Sequence, residues 1–292
     1  MKEAAGVKGH GAALITMLIW GTTFVSTKIL LADFTPVEIL FYRFSIGFIA
    51  LSIIYPHRLK GIGKKQEMMF MAAGLCGITL YFLLQNIALT YTTASNVGVI
   101  SSIAPFFTAL LANWLLDGEK LKVNFFIGFF VAMTGIILIS FNRSTDLRLN
   151  LTGDLLALMT AVVWAVYSIL VRKISEFGGN TVQTTRRIFF YGLAFMTPVL
   201  FLFRFNWGMD RFSQPVNLFN ILFLGLGASA LCFLTWNSAV KLLGAVKTSV
   251  YIYLVPVVTV ITSVVVLSEK ITLTASLGIA LTLGGLFLSE KK

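Results

Sequence analysis

An arginine inside an apolar run is the residue of this sequence best suited to bind a charged ligand. Arg43 lies in the run FYRF, in a predicted helix over residues 36–55, about 10 Å from the nearer helix end. A guanidinium in that setting can hold a carboxylate or a phosphate through paired hydrogen bonds. Two alternatives stay open: the side chain extends outward to water, or it pairs with Glu38 near the helix end.

Aromatic residues deep inside other apolar runs are a second set of candidates. Trp20 and Trp164 each lie about nine to twelve residues into a predicted helix, too deep for the aromatic belts of membrane surfaces. They are candidates to wall a pocket for an aromatic or cationic substrate by stacking or cation–π contact. Packing within the protein core is the alternative. Further aromatic candidates at comparable depth are Tyr81, Trp236 and Tyr253.

Polar side chains within apolar runs complete the candidate substrate-binding set. Amides and hydroxyls are costly against lipid, so each is expected either to meet a ligand or to bond a neighbouring helix. Bonds of the second kind contribute under about 1 kcal/mol each. Both interpretations stay open for these residues, which are Gln85, Asn86, Asn96, Ser101, Asn237 and Ser249.

The sequence lacks the patterns of several other chemistries. His10 and His57 are isolated, so no metal site is predicted. Cys76 and Cys232 lie in apolar runs and are interpreted as small apolar filler. There is no nucleotide-binding loop and no histidine–carboxylate pair, so neither a cofactor nor an enzyme is expected. With no carboxylate at mid-depth, uniport or exchange is as open as proton coupling.

Composition places the chain in a membrane. Of 292 residues, 57% are apolar and only 12% are charged, whereas soluble domains carry about a quarter charged residues. Apolar runs of about 18 residues or more recur along the whole chain, which is typical of transmembrane helices. The net charge of +11 comes from Lys and Arg in short loops, which indicates topology rather than nucleic-acid binding.

These runs predict an all-α integral membrane protein with ten transmembrane helices. Placing the amino terminus inside puts most of the 23 lysines and arginines on the cytoplasmic side. Both termini of this multi-pass protein of the cell membrane are therefore expected in the cytoplasm. The predicted helices cover residues 11–31, 36–55, 67–89, 95–116, 122–141, 152–171, 182–203, 217–239, 245–267 and 272–289.

The chain is an internal duplication. Residues 86–120 align with residues 237–270, placing Pro105 on Pro256 and Asn86 on Asn237. At an offset of 144, Trp20 matches Trp164 and Arg43 matches Arg187. Repeats of five helices, an odd number, cross the membrane in opposite directions, as in many secondary transporters. The predicted repeats are residues 1–146 and 147–292.

At these residues the chain resembles the drug/metabolite transporter superfamily, of the EamA type. The resemblance implies two inverted five-helix bundles around a central cavity, with the fifth and tenth helices peripheral. Members move amino acids, nucleotides, sugars, amines or other metabolites, and many bacterial members are exporters. The second half departs from the family pattern: NSAV stands in place of QNIAL, and SEKI stands in place of GEKL. The carrying motifs are WGTTF at 20–24, FYRF at 41–44, QNIAL at 85–89, the stretch 94–105, GEKL at 118–121 and the glycines of the fifth helix.

The repeat also suggests moving parts. The hairpins at residues 91–95 and 241–247 are equivalent and would lie on opposite membrane faces, as alternating gates or as static turns. Pro105 and Pro256 are expected to kink their helices, with or without a role in binding. Glycines seven residues apart allow close helix approach within the chain or in a homodimer; they are Gly128 and Gly135, and Gly278 and Gly285.

Together these features predict a secondary transporter that exports a small organic metabolite, an amino acid or related amphiphile, by alternating access. Its partners would be that substrate and membrane lipid, without nucleic acid. One alternative is an importer or exchanger of an anionic or cationic metabolite. Another, from a different class, is a membrane scaffold that transports nothing.

Overall fold

The computed structural model describes residues 2–57, 59–91, 94–117, 122–141, 150–203, 205–267 and 272–290. Within these ranges the regular structure is helical, and no β-strand occurs. Six helical stretches are long and apolar enough to cross a membrane, which makes the chain a multi-pass α-helical membrane protein. They are Pro36–Ile54, Lys64–Ala88, Val97–Leu115, Leu151–Phe177, Pro215–Leu243 and Ala245–Thr262. Two further apolar helices, Val123–Ile139 and Leu273–Ser289, are shorter.

Helical segments occur at each of the predicted positions within the described ranges. In the first half they are α1 (Lys2–Leu30), α2 (Pro36–Ile54), α3 (Lys64–Gly74, Leu75–Leu80 and Tyr81–Tyr91), α4 (Ala94–Ser101 and Ala104–Leu115) and α5 (Val123–Phe141). In the second half they are α6 (Leu151–Ile174), α7 (Thr181–Leu202), α8 (Pro215–Leu222, Phe223–Leu231 and Cys232–Leu243), α9 (Ala245–Val250, Tyr251–Tyr253 and Leu254–Leu267) and α10 (Leu273–Glu290).

Local sequence explains where several helices begin and end. Thr35 and Glu38 form a capping box at the start of α2, with Pro36 in the first turn. The Asn150 side chain accepts from the Gly153 N–H at 3.0 Å and caps α6. Gly244, at φ +91°, ends α8 and lets α9 begin at once.

Irregular helix geometry recurs at equivalent places in the two halves. The middle of α3, Leu75–Leu80, is a π-helix, and so is the middle of α8, Phe223–Leu231. The α4 helix is interrupted at Ser102, before Pro105, and α9 has a 3₁₀ turn before Pro256. Pro105 and Pro256 lack the N–H that a regular helix needs, which explains these breaks. The π-helical segments had no signal in the sequence.

The fifth and tenth helices pack directly on each other. A Cβ atom built on Gly128 would lie 2.5 Å from the Gly285 carbonyl oxygen, and one on Gly135 would lie 2.5 Å from that of Gly278. The earlier residue of α5 meets the later residue of α10, so the two helices run antiparallel. The glycines thus allow close approach within one chain, the first of the two alternatives left by the sequence.

The two halves interlock rather than sit side by side. On α1, Gly9 lies against Leu243 of α8, and Gly21 lies against Val258 of α9. On α6, Trp164 meets Tyr81 of α3 at a ring-centroid distance of 4.9 Å. The first helix of each half therefore packs on helices of the other half, and this interface holds the candidate site.

Candidate functional site

Three tryptophans meet where the halves join. Trp20 lies 5.4 Å from Trp164 and 5.6 Å from Trp236, and Trp164 lies 5.5 Å from Trp236, between ring centroids. These three residues are called the tryptophan cluster below. Trp20 and Trp164 are repeat equivalents, so their edge-to-face contact places the cluster at the centre of the duplication.

The indole N–H groups of this cluster are unequally satisfied. Trp20 Nε1 donates to the Ala228 carbonyl at 3.0 Å. Trp164 and Trp236 are 5% and 0% exposed, and each Nε1 is buried without a hydrogen-bonding partner in the described part of the chain. An unpaired buried donor costs about 1–3 kcal/mol, so two donors stay available for an acceptor at the centre.

The cluster bears on the two alternatives that the sequence left open for Trp20 and Trp164, pocket wall or core packing. In this conformation the two rings contact each other, as core packing requires. The bulky rings attract one another edge to face, at about 0.5–1.5 kcal/mol per pair. A solute can therefore enter between Trp20 and Trp164 only if these rings move apart.

Other aromatic residues extend the cluster. Tyr81 packs 4.9 Å from Trp164 and 4.9 Å from Phe82. Gln85 Nε2 donates to the Tyr81 hydroxyl at 3.5 Å, one turn along α3. The structure thus brings Tyr81 and Gln85, both predicted site residues, to the tryptophan cluster.

Arg43 is buried beside this aromatic region. It is 6% exposed, and its Nε donates to Ser229 Oγ at 2.9 Å. Its guanidinium carbon lies 5.2 Å from the Phe44 ring centroid and 5.3 Å from that of Phe82. The side chain therefore crosses from the first half to the π-helical part of α8 in the second half.

Neither structural alternative for Arg43 is correct. The side chain does not extend to water, since Arg43 is buried. Nor does it pair with Glu38, whose Oε2 accepts from Arg211 Nη1 at 2.8 Å and from the Thr35 N–H at 2.7 Å. Arg211 takes the carboxylate because its loop folds over the start of α2, where the Asn206 N–H also donates to Glu38.

Arg187, the repeat equivalent of Arg43, has different surroundings. Its Nε donates to Glu67 Oε1 at 2.9 Å, its Nη2 donates to the other oxygen of that carboxylate, and its Nη1 donates to the Leu59 carbonyl at 3.2 Å. The Tyr191 hydroxyl donates to the same carboxylate. Arg187 thus joins the start of α7 to the start of α3.

The two equivalent asparagines also differ. Asn237 is 3% exposed; its Oδ1 accepts from the Tyr167 hydroxyl at 2.9 Å, and its Nδ2 donates to Thr185 Oγ1 at 2.9 Å. This bridge links α8 to α6 and α7. Asn86, in α3, is only partly buried and has no hydrogen-bonding partner among the described residues.

Three other predicted residues lie apart from the tryptophan cluster, and a fourth lies outside the description. Ser249 is buried and donates to the Val246 carbonyl of its own helix at 2.7 Å. Tyr253 packs in a separate core with α4, α5 and α10, and its hydroxyl has no partner in the described ranges. The buried hydroxyl of Ser101, just before the α4 break, also has no hydrogen-bonding partner among the described residues. The Asn96 side chain lies outside the described residues.

A small crevice opens beside Asn237. Asn237 and Lys241 of α8 line it, together with the hydroxyl-bearing residues Ser175, which follows α6, and Thr181 and Thr184 of α7. The Lys241 Nζ donates to the Gly179 carbonyl at 3.5 Å. The lining residues are Val171, Ile174, Ser175, Gly179, Thr181, Thr184, Ile188, Asn237 and Lys241.

Sequence reasoning missed the partners rather than the central residues. Ser229, Thr185 and Tyr167 complete the contacts of Arg43 and Asn237, but none was in the predicted site. A serine or threonine inside an apolar helix gives no sign of which neighbour it faces. The sequence offered one weak clue, for Thr185 alone: it lies two residues from Arg187 in a predicted helix, so polar side chains cluster there.

Comparison with known proteins identifies the family. The sequence profile of the EamA-like transporter family matches residues 7–141 and matches again at residues 151–290. The chain belongs to the EamA-like transporter family. The two EamA matches fall on the two halves of the duplication.

Named relatives of this EamA protein are transporters whose activity is not specified. An "Uncharacterized transporter" of Archaeoglobus fulgidus is 28% identical over 98% of each chain. "Uncharacterized transporter YyaM" of Bacillus subtilis is 30% identical over 83% of this chain and 81% of its own. A protein crystal structure with a TM-score of 0.78 and 20% identity covers 99% of this chain and 97% of its own, which supports the fold alone.

Proposed function

We propose that this EamA-family transporter moves a small organic metabolite across the cytoplasmic membrane by alternating access, as a secondary transporter and not as an enzyme. An amino acid or related amphiphile is the proposed substrate, and export is the proposed direction. The observation that carries the proposal is the tryptophan cluster, which both halves build at their interface. Sites of secondary transporters lie at the interface between such repeats.

The proposed topology has ten membrane crossings in two inverted repeats, residues 1–146 and 147–292, with both termini in the cytoplasm. The antiparallel packing of α5 on α10 supports inversion, because parallel repeats would orient these equivalent helices the same way. The paired π-helical segments, Leu75–Leu80 and Phe223–Leu231, support the duplication. The positive-inside rule supports the orientation.

The two asparagines support a state closed at the cytoplasmic side. On the proposed orientation, Asn237 lies toward the cytoplasm, where its bonds to Tyr167 and Thr185 join three helices. Asn86 lies toward the outside and makes no such bridge within the described ranges. The hairpins at residues 91–95 and 241–247 would then act as outer and inner gates, with the inner gate shut; residues 92 and 93 of the first hairpin lie outside the described ranges.

The chemistry of the centre supports an amphiphilic substrate. Tryptophan and tyrosine faces accept apolar groups and cations. The unpaired N–H groups of Trp164 and Trp236 are suited to an acceptor atom on the same molecule. We assign substrate contacts to the residues that the ring, cation–π and hydrogen-bond contacts above link, Trp20, Arg43, Tyr81, Gln85, Trp164 and Trp236, and to Asn86, which follows Gln85 in α3.

The alternative of an anionic metabolite, imported or exchanged, has one observation in its favour. Arg43 is buried, and no described carboxylate pairs with it. A membrane scaffold without transport has no corresponding support, because a scaffold does not need a buried charge at the repeat interface.

Counterflow in proteoliposomes tests the proposal. Vesicles loaded with one metabolite should accumulate the labelled form of the same compound, and the class of compound identifies the substrate. Binding should also raise the melting temperature of the purified protein. Replacing Trp20 or Asn86 by Ala should reduce both signals.

Trp114 provides the matched control because it is 80% exposed and lies far along α4 from the Ser102 break. Trp114→Ala should keep counterflow and ligand stabilisation. Equal loss in Trp20→Ala and Trp114→Ala would place the site elsewhere. Lack of counterflow with a broad metabolite panel would support the scaffold alternative.

A further inference from the structure

Arg43 is a buried cation without a matching anion. The ion pairs among the described residues are Arg172–Glu176, Arg187–Glu67 and Arg211–Glu38. Arg43 takes part in none of them, although it is 6% exposed. An uncompensated charge inside a membrane protein costs several kcal/mol and marks a functional position.

Most hydrogen-bonding capacity of Arg43 is unused. A guanidinium has five N–H donors, and the described residues accept one of them, Nε–H, at Ser229 Oγ. The two terminal nitrogens have no acceptor in the described ranges. They form the planar fork that binds the two oxygens of a carboxylate in parallel.

The other half of the chain contains the filled version of this arrangement. Arg187, at the equivalent position, has both carboxylate oxygens of Glu67 on its guanidinium. At the offset that aligns Asn86 with Asn237, the residue matching Glu67 is Leu218. Leu218 is apolar and 44% exposed, so the first half has the arginine without a built-in anion.

We propose that Arg43, positioned by Ser229, binds a carboxylate group of the transported substrate. This inference rests on the proposed transport function and specifies its substrate class. A single guanidinium charge balances one carboxylate. A phosphate carries about 1.5 to 2 negative charges near neutral pH, which would leave excess charge in an apolar site without a second cation.

The surroundings of Arg43 determine how the rest of the substrate lies. Phe44 and Phe82 flank the guanidinium, and Phe82 contacts Tyr81 at 4.9 Å. Tyr81 in turn contacts Trp164 of the tryptophan cluster at 4.9 Å. The aromatic surface is thus continuous from the charge to the cluster, so it fits a molecule with a carboxylate at one end and an apolar body.

Close packing of α2 on α8 fixes the pair geometry. A Cβ atom on Gly47 would lie 3.3 Å from the Ser229 Cβ, and one on Gly225 would lie 3.3 Å from the Arg43 carbonyl oxygen. The π-helical segment Phe223–Leu231 contains both Gly225 and Ser229. Its altered turn sets which residue of α8 faces Arg43, and this makes Ser229 a positioning residue.

Pairs of probes that differ only in the carboxylate test the proposal. The full-length protein is purified and its melting temperature is measured with L-phenylalanine, L-leucine and 3-phenylpropanoate, each against the corresponding amide. Counterflow of the same six compounds is measured in proteoliposomes. The acids should stabilise and exchange, and the amides should do so at least about tenfold more weakly.

Arg43→Gln should remove the preference for acids over amides, and Arg43→Lys should restore part of it, because lysine keeps the charge but not the fork. Ser229→Asp gives the guanidinium an internal carboxylate. This variant should lose acid binding while its melting temperature in the absence of ligand rises. Ser229→Ala removes the Nε partner without adding a charge, so it should weaken acid binding only in part and is the matched comparison for Ser229→Asp.

The two readouts separate the inference from the transport function. Exchange of acids and amides alike, unchanged in Arg43→Gln and Ser229→Asp, would overturn the carboxylate site and leave transport intact. Stabilisation by acids that disappears in both variants, without counterflow, would support the site and contradict transport. If none of the acids stabilises the wild-type protein, the inference is wrong, whether or not Arg43→Gln folds.

Discussion

Arg43 and Arg187 occupy equivalent positions in the two repeats but differ in their partners. Arg187 is held by the Glu67 carboxylate, by the Tyr191 hydroxyl and by a backbone carbonyl. Arg43 has one serine and two phenylalanine rings. Arg187 therefore ties two helix starts together, whereas the terminal nitrogens of Arg43 have no acceptor among the described residues, which is the basis of the proposed carboxylate site.

Asn86 and Asn237 differ as the two arginines do, because the second-half residue makes more side-chain hydrogen bonds. Asn237 ties α8 to α6 and α7, whereas Asn86 has no bond within the described ranges. For both the arginine pair and the asparagine pair, the second-half residue is therefore held by more hydrogen bonds than its first-half equivalent. Equal sequence positions in a repeat do not imply equal roles, because the partners lie on other helices and diverge separately.

Accessibility of the two asparagine positions should differ most. With Cys76 and Cys232 replaced by Ala, a cysteine at position 86 should react readily with a membrane-impermeant thiol reagent added outside. A cysteine at position 237 should not react, because that position is 3% exposed. Mass spectrometry of labelled protein measures both, and labelling of position 237 alone would reverse the proposed closed side.

Removing each arginine should affect stability unequally. Arg187→Gln leaves the Glu67 carboxylate without its cation, and we expect a loss of about 2–3 kcal/mol, reduced from the fully buried case because both side chains are partly exposed. Arg43→Gln removes a buried charge that has no counter-ion among the described residues, so it should not lower the free energy of unfolding.

Unfolding of both variants in detergent by heat and by denaturant measures this difference. Glu67→Gln provides the control for the second-half pair, since it breaks the same ion pair and should lower the free energy of unfolding by a similar amount. A larger loss in Arg43→Gln than in Arg187→Gln would mean that Arg43 is a structural tie after all.

Alanine substitutions at the asparagines should give the smallest difference. Asn237→Ala leaves the Tyr167 and Thr185 hydroxyls without their partner, and we expect a loss of about 1–2 kcal/mol. Asn86→Ala should cost less than about 0.5 kcal/mol, because Asn86 has no hydrogen bond among the described residues. Melting temperatures of the two variants in one detergent provide the measurement, and equal losses would remove the distinction between the halves.

The sequence was sufficient for the membrane class and the two-repeat family, while the count of ten membrane crossings stays a prediction. Apolar runs are required where helices contact lipid, and the matched prolines interrupt their helices because proline lacks an N–H. Both effects are local, so they can be recognised in the sequence. The antiparallel contact of Gly128 with Gly285 could be anticipated only as one of two alternatives. A glycine allows another helix to approach closely, but it does not determine which helix that is.

The site was less predictable because it depends on contacts between distant residues. Arg43 was recognisable from its cost in lipid, but its partner Ser229 is 186 positions away. The tryptophans were recognisable from their depth, but the sequence could not decide between a pocket wall and core packing or show that the rings contact one another. Periodicity gives the face of a helix, whereas the rotamer and the opposing helix decide what that face meets.

Ligand-induced stabilisation of the two arginine variants distinguishes an arginine that binds the substrate from one that only holds helices together. The melting temperature of Arg43→Gln and of Arg187→Gln is measured with and without the compound that stabilises the wild-type protein most. We expect Arg43→Gln to lose the ligand-induced rise without a lower basal melting temperature, and Arg187→Gln to melt earlier and keep the rise. The opposite result, with the rise lost only in Arg187→Gln, would contradict the account.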